Sequence, residues 1–388
     1  MREITFYDTT LRDGEQTIGV NFSNQEKVSI AQSLEAYGVD AIETGFPAAS
    51  DKDFKAVQAI AKTIKDSKVV GLARMVRKDI DAVIESTRGA AHPAIHIFIA
   101  TSPIHRQSKL HMSKQEILDK ITADISYVKN YMDDIIFSPE DATRTEPEFL
   151  VQAVQRAIDA GAKMINIPDT VGYSTPDEFG QIFENFKSQI KEFNQIGWST
   201  HTHNDLGLAN ANALAGIEHG ATEVQGTING IGERAGNVDL IETAVALQVR
   251  QDKFQVSTNI DLVQSKKVSN QIARMSKIAI APNKPIMGRN AFAHESGIHQ
   301  DGYLKNPETY EILSPAMVGA KASLPLGKLS GSHAVMSKLN EMGYEIGKED
   351  MHNIFPRFKA MAEEVDIVDE DQLESMMASI YEKRVVNG

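Results

Sequence analysis

Short apolar runs alternate eight times with longer stretches of helical period, over about 250 residues. That rhythm leaves very few folds open. The runs fall at residues 4–7, 40–44, 68–73, 94–100, 134–138, 163–167, 195–205 and 222–226. The intervening segments, 25–37, 51–64, 78–88, 114–131, 147–160, 176–191, 206–219 and 238–250, read as helices. Leu150, Val154 and Ile158 stand four apart in one of them, and Gly161 follows as its stop. Eight strand–helix units of this size match a (β/α)8 barrel. An open doubly wound sheet is the competing topology. Eight consecutive units favour closure, and the polar residues gather after the strands, where a barrel has its mouth.

The rhythm stops near Lys253. Residues 262–278 follow as a long helical pattern, 281–285 as a linker-like break, and 288–331 as an irregular stretch rich in Gly, Pro and His. Residues 334–384 are helical and acidic, with Met376 and Met377 as packing residues. We therefore divide the chain into a catalytic barrel, 1–275, and an appended, mostly helical region, 276–388. The net charge of −13 argues against a nucleic-acid surface. There is no cysteine, which excludes disulfides, a thiolate metal site and a cysteine nucleophile. No apolar run approaches the ~18 residues of a spanning helix, and residues 1–8 hold no apolar signal region. A cytoplasmic protein is expected.

The stretch Ser199-Thr-His-Thr-His-Asn-Asp205 holds His201 and His203 on one face of a strand end, a ready pair of metal ligands. The first strand is followed by Asp8-Thr-Thr-Leu-Arg-Asp-Gly-Glu-Gln16. His96 lies within the fourth. Ser138-Pro-Glu140 ends the fifth, with Ser138 and Glu140 on one side. Thr170 follows the sixth, and the eighth leads into Gly226-Thr-Ile-Asn-Gly-Ile-Gly-Glu-Arg-Ala-Gly-Asn237. Each has a bland reading alone: a turn at Asp13-Gly14, a cap at Thr170 or Asn237, a satisfied interior His96. Together they put an acid, two histidines, an amide and an arginine at one barrel end. Asp13, His201, His203 and a fourth group such as Asn237 form a nitrogen/oxygen set suited to Mn²⁺, Mg²⁺ or Zn²⁺. Such a site can chelate and polarise a 2-oxo acid, with Arg12 placed to stabilise the developing oxyanion. The run Gly230-x-Gly232-x-x-x-Gly236 is not the dinucleotide fingerprint. It reads equally as a tight loop or as a backbone cradle for the phosphates of a coenzyme.

Residues 8–16, His201-Thr-His-Asn-Asp-Leu-Gly207 and Asn229-Gly-Ile-Gly-Glu-Arg-Ala-Gly-Asn237 together resemble the alpha-isopropylmalate synthase and homocitrate synthase family. The resemblance runs over nearly the whole chain. It implies a TIM barrel, a divalent metal held by Asp13, His201, His203 and Asn237, and Arg12 as electrostatic stabiliser. It implies that Glu140, Thr170, Ser138 and His96 line a 2-oxo-acid pocket. It places acetyl-CoA along the glycine loop of Gly230, Gly232, Arg234 and Gly236. His294-Glu-Ser-Gly-Ile-His-Gln-Asp-Gly302 looks like the family's catalytic-histidine segment, which marks His299, assisted by Tyr310 or Glu295. In relatives that region reaches a partner subunit, which implies a homodimer.

The implied reaction is a Claisen condensation of acetyl-CoA with a 2-oxo acid. Gly45-Phe-Pro-Ala48, Ile99-Ala-Thr-Ser-Pro103 and Asn166-Ile-Pro-Asp-Thr-Val-Gly-Tyr173 resemble the isopropylmalate branch, and so point to 2-oxoisovalerate. Isopropylmalate synthases usually carry a further C-terminal leucine-binding domain, and the chain stops where it would begin. Leucine inhibition is therefore expected to be absent. Three residues depart from the family pattern: Ile18 stands where proline is common, and Leu329 and Ser332 where histidine and arginine are usual. A lyase relative usually offers a loop cysteine, which this chain lacks. The alternative from another class is a catalytically silent metal- or acyl-CoA-binding barrel.

Overall fold

A computed structural model describes residues 1–321, 325–365 and 367–386. The chain forms two compact units, Met1–Ala279 and Ile280–Gly388.

The first unit is a closed barrel of eight parallel strands. They are β1 (Thr5–Asp8), β2 (Ala41–Glu43), β3 (Lys68–Arg74), β4 (Pro93–Ala100), β5 (Ile135–Glu140), β6 (Met164–Asp169), β7 (Gly197–Thr202) and β8 (Glu223–Gly226). Thr5 pairs with Glu223 and Asp8 with Gly226, which closes the ring. The helices that follow are α1 (Asn24–Tyr37), α2 (Asp51–Thr63), α3 (Arg77–Thr87), α4 (Lys114–Val128), α5 (Pro147–Ala160), α6 (Pro176–Gln189), α7 (Ala209–Glu218) and α8 (Leu240–Val249).

Local chemistry sets their ends. Ser23 and Glu26 form a capping box at the start of α1, as Ser113 and Glu116 do for α4. α5 and α6 begin with proline at the first helical position, where a missing N–H costs nothing. The apolar faces of the helices pack on the outside of the strands, around residues such as Ile97, Phe137, Ile165 and Phe183. Inside the ring, Tyr7, Ala41, Val70, Ala94 and Ile136 fill the lumen, so the barrel is a packed core and not a pore.

The lumen also holds acidic positions, Glu223 among them. Glu223 is buried and accepts from Thr5 Oγ1 at 3.3 Å. Burial pushes its carboxyl up to about 7 from the usual 4.5. The folded state therefore holds this proton more tightly than the unfolded chain does. The associated stability is fully present below pH 4.5 and is lost as the pH rises through 7, roughly 3 kcal/mol in all. Glu223→Gln is expected to show a smaller fall in urea midpoint between pH 5 and pH 8 than the parent chain. Equal falls in the two proteins would refute the assignment.

Outside the barrel, Arg2–Glu3 pairs with Val256–Ser257, and α9 (Ser265–Ser276) packs against α1. The second unit contains α10 (Gly297–Lys305), α11 (Ser332–Glu341), α12 (Met351–Ala362) and α13 (Glu370–Val386). Its core includes Leu326, Val335, Leu339, Phe358, Leu373 and Met377. Both Met376 and Met377 are buried there, as packing residues. The stretch read as irregular, 288–331, instead contains a helix, α10. It carries Gly297 and Gly302 and has one buried residue, Gln300, so no apolar stripe betrays it.

Candidate active site

The histidine pair is delivered by a rigid strand. Trp198, at the start of β7, is stacked between Phe186 and Phe193 with centroids 5.0 and 4.7 Å away. Its Nε1 donates to Phe193 O at 2.8 Å. Three and five residues on, His201 and His203 turn into the mouth, with Nε2 atoms 3.2 Å apart. Asp13 Oδ2 lies 3.5 Å from His201 Nε2 and 4.0 Å from His203 Nε2. All three residues are buried, and together they are the cluster that could hold a metal ion among the described residues. Burial first, then the neighbouring His203, pull the His201 imidazole down to about 3. Burial opposes the charge on Asp13, but Arg12 and the two histidines outweigh it and hold the carboxyl below its usual value. Asn237 completes the ring: its Nδ2 donates to Asp13 Oδ1 at 3.1 Å, and its Oδ1 is buried without a hydrogen-bond partner. Imidazole nitrogens and an ionised carboxylate converge, with the amide of Asn237 beside them. This donor set fits a divalent cation.

The loop after β1 is held from several sides. Thr9 O accepts from the Arg12 and Gly14 amides, and Asp8 accepts from the Thr10 amide and hydroxyl. Lys27, buried in α1, meets Glu15 at 2.5 Å and Asp53 at 3.5 Å. Arg12 itself sits between two carboxylates. Its Nη1 donates to Asp13 Oδ2 at 2.8 Å and its Nε to Glu43 Oε2 at 2.5 Å.

Glu43 had no place in the sequence argument. It is fully buried on β2 and accepts four hydrogen bonds: from Arg12, from Thr9 Oγ1 at 2.7 Å, from Tyr7 Oη at 2.8 Å and from His96 Nδ1 at 2.6 Å. Burial disfavours its charge, but Arg12, His96 and these donors hold its carboxyl well below the usual range. As an ionised acceptor it puts the imidazole proton of His96 on Nδ1. His96 Nε2 then meets Ser138 Oγ at 2.6 Å, and Ser138 Oγ accepts from Asn166 Nδ2 at 2.8 Å. The polar chain crosses β2, β4, β5 and β6. A charged residue amid the apolar run 40–44 was the available signal for Glu43.

Several of these groups line one open cavity at the mouth of the barrel. Arg12, Asp13, His201 and His203 form one side, with His96, Ser138, Glu140, Thr170 and Arg234 around them. Phe46, Leu72, Phe98 and Pro168 supply an apolar wall. Arg234 is tied to Asp205 at 2.8 and 3.0 Å, and its Nη2 donates to Thr170 O at 2.8 Å. Gly230, Gly232 and Gly236 do not line the cavity. A Cβ on Gly236 (φ 89°) would lie 1.9 Å from Gly230 O, and one on Gly232 would lie 2.2 Å from Asn237 Nδ2. The loop is thus folded tightly under Asn237.

His299, Tyr310 and Glu295 belong to the second unit. There the His299 and Tyr310 rings lie 4.5 Å apart, on α10 and just beyond it. Behind them, His294 stands 5.2 Å from the Tyr303 ring and 3.9 Å from Glu311 Oε1. Tyr310 is 44% exposed, so one side of the pair is open.

Comparison with known proteins follows the same division of the chain. The HMGL-like family matches residues 3–272, and the homocitrate synthase post-HMGL domain-like family matches residues 286–366. A 2-isopropylmalate synthase of Staphylococcus saprophyticus is 55% identical over 375 residues, 96% of this chain and 73% of its own length. One from Listeria monocytogenes is 55% identical over 378 residues, 97% of this chain and 74% of its own. Among solved structures, an HMG-CoA lyase from Brucella melitensis shares the fold with a TM-score of 0.60 at 18% identity, over 71% of this chain and 100% of that one. The carboxyl transferase domain of Rhizobium etli pyruvate carboxylase does so at 0.53 and 15%, over 71% and 48%. The chain belongs to the HMGL-like family, alongside the curated 2-isopropylmalate synthases.

Proposed function

We propose that this chain condenses acetyl-CoA with 2-oxoisovalerate and hydrolyses the thioester, giving 2-isopropylmalate and CoA. The observation that carries the reading is the buried Asp13–His201–His203 cluster beside Arg12, at one end of a cavity whose other wall is apolar. Asp13, His201 and His203, with Asn237, hold Mn²⁺ or Mg²⁺, and Zn²⁺ also suits the donors. A divalent ion bound there supplies a Lewis acid for the keto group of the oxo acid.

The remaining work falls to the chain's own groups. His96, Ser138 and Thr170 orient the oxo acid, and Phe46, Leu72 and Phe98 take its branched alkyl group. Arg234 and the loop of Gly230, Gly232 and Gly236 flank the acetyl-CoA side. His299, with Tyr310 and Glu295 beside it in sequence, removes a proton from the acetyl methyl group. The carbon so freed bonds to the keto carbon, whose oxygen gains the negative charge. Arg12, fixed by two carboxylates, faces that charge without having to reorganise. Glu140 faces the same space and takes part in moving the protons. Water then cleaves the thioester, and CoA leaves as the thiol. The proposal extends to a cytoplasmic homodimer, carried over from the family resemblance. Among the described residues no helix is long and apolar enough to cross a membrane.

The test is thiol release from acetyl-CoA with Mn²⁺ or Mg²⁺, offered 2-oxoisovalerate, 2-oxoglutarate and pyruvate in parallel. Turnover confined to 2-oxoisovalerate is the expected result. Preference for 2-oxoglutarate would make the chain a homocitrate synthase, and for pyruvate a citramalate synthase. Silence with all three would support the binding-protein alternative.

A further inference from the structure

Between β4 and α4 the chain makes an unusual excursion at the rim of the cavity. Ser102 starts a single helical turn, Pro103–His105, which runs into a π-helical turn, Arg106–Leu110, and ends at His111 with φ 53°. Isolated π turns are rare and concentrate at functional sites, because the extra residue rotates side chains off the ordinary helical positions. This one is anchored. Arg106 is 7% exposed; its Nη1 donates to Thr101 O at 2.6 Å, and its guanidinium meets both oxygens of Glu146 at 2.8 Å. Glu146 is the residue just before α5. The turn is therefore tied to the start of its own loop and to the neighbouring loop before α5.

Three residues beyond that anchor, Lys109 Nζ contacts both oxygens of Glu140, at 2.7 and 3.0 Å. From the same turn, His105 Nδ1 lies 3.8 Å from Glu140 Oε1, buried and without a hydrogen-bond partner. Glu140 ends β5 and lines the cavity with Arg12 and His201. An ion pair this exposed ordinarily adds at most about 1 kcal/mol to stability, because a lysine stem is flexible and water screens it. Stability is thus a poor reason for building it. What distinguishes the pair is that the lysine's backbone is pinned and that its ammonium meets both carboxylate oxygens, which holds the carboxylate in place.

We propose that Lys109 is a positioning residue for Glu140: it holds that carboxylate aimed into the cavity and offsets its charge, so that an anionic oxo acid can bind in the same space. The role rests on the proposed condensation, in which Glu140 faces the reacting groups.

The experiment uses the full-length chain loaded with Mn²⁺ and compares Lys109→Met, Lys109→Arg, Glu140→Gln and the Lys109→Met/Glu140→Gln pair. Methionine keeps the apolar stem and removes the charge. Lys109→Met is expected to lower kcat for thiol release about tenfold or more and to raise KM for the oxo acid, with KM for acetyl-CoA, Mn²⁺ affinity and melting temperature close to the parent values. Lys109→Arg should recover most of the loss. In the Glu140→Gln background, Lys109→Met should cost nothing further, since the group it positions is gone. An unchanged kcat in Lys109→Met overturns the proposal. So does an additive loss in the double variant, or an effect confined to KM for acetyl-CoA, which would place Lys109 on the coenzyme. If the parent chain releases no thiol with any oxo acid, the proposed condensation fails instead. Crystal structures of the parent and Lys109→Met then decide the positioning role: Glu140 turned out of the cavity in the variant upholds it, and Glu140 unmoved overturns it.

Discussion

His201→Ala is expected to abolish stoichiometric Mn²⁺ binding and to lower kcat/KM by roughly 1000-fold or more, while the metal-free chain keeps its melting temperature within about 3 °C. The geometry explains why the two effects separate. In the folded chain the two Nε2 atoms are 3.2 Å apart, with Asp13 Oδ2 3.5 and 4.0 Å from them. Both Nδ1 atoms are buried without partners. Burial holds His201 neutral at any physiological pH, and the chain satisfies the cluster only in part: Asp13 accepts from Arg12 and Asn237, while the two imidazoles face each other and the carboxylate. Such an array adds little to folding without a cation, so removing one member costs little. The same array is what a cation needs, and Asp13, His203 and Asn237 without His201 do not hold it stoichiometrically. Isothermal titration with Mn²⁺ and a thermal melt of the chelated protein measure the two halves. Retained one-to-one binding in the variant would remove His201 from the ligand set.

Glu43→Gln should do the reverse, damaging folding and catalysis together. Glu43 accepts from Tyr7, Thr9, Arg12 and His96 within 2.5–2.8 Å, and every one of these partners is a donor. An amide keeps the shape but turns one oxygen into an NH2 group that faces donors. It also removes the charge opposite the buried side of Arg12. Breaking a buried ion pair in this way costs about 3–5 kcal/mol, because the partner charge is left without compensation. Arg12 would then lean on Asp13 alone, and its guanidinium would leave the position from which it meets developing negative charge. A loss of kcat of about 100–1000-fold is expected on that ground. Urea unfolding and thiol release test the two effects on one preparation. A Glu43→Gln chain with the parent's urea midpoint and kcat would mean that the network is not a functional unit.

How much of this was legible beforehand depends on the range of the interaction concerned. The eight strand–helix units follow from local periodicity, and their ends from signals a few residues long: Gly38 and Gly161 as left-handed caps, Pro147 and Pro176 at helix starts. The family motifs put Arg12, Asp13, His201 and His203 in one site, and they do share one cavity. The chain divides after Ala279, and α9 still packs on α1. By contrast, α10 was invisible because it carries no apolar stripe, and its helical form is set by its surroundings in the second unit.

The sequence by itself determined the barrel, because eight repeats of one short pattern close in essentially one way. It also determined the metal-binding candidates, because the histidine pair, Asp13 and Asn237 all stand at or beyond the ends of strands that meet at one barrel mouth. Only the tertiary structure decided that Glu43 ties Arg12 to His96, that the glycine loop folds under Asn237, and that a π turn delivers Lys109 to Glu140. Each of these contacts joins residues from different strands or loops. Their meeting depends on strand register and on how the loops pack at the barrel mouth, which no local pattern in the chain encodes.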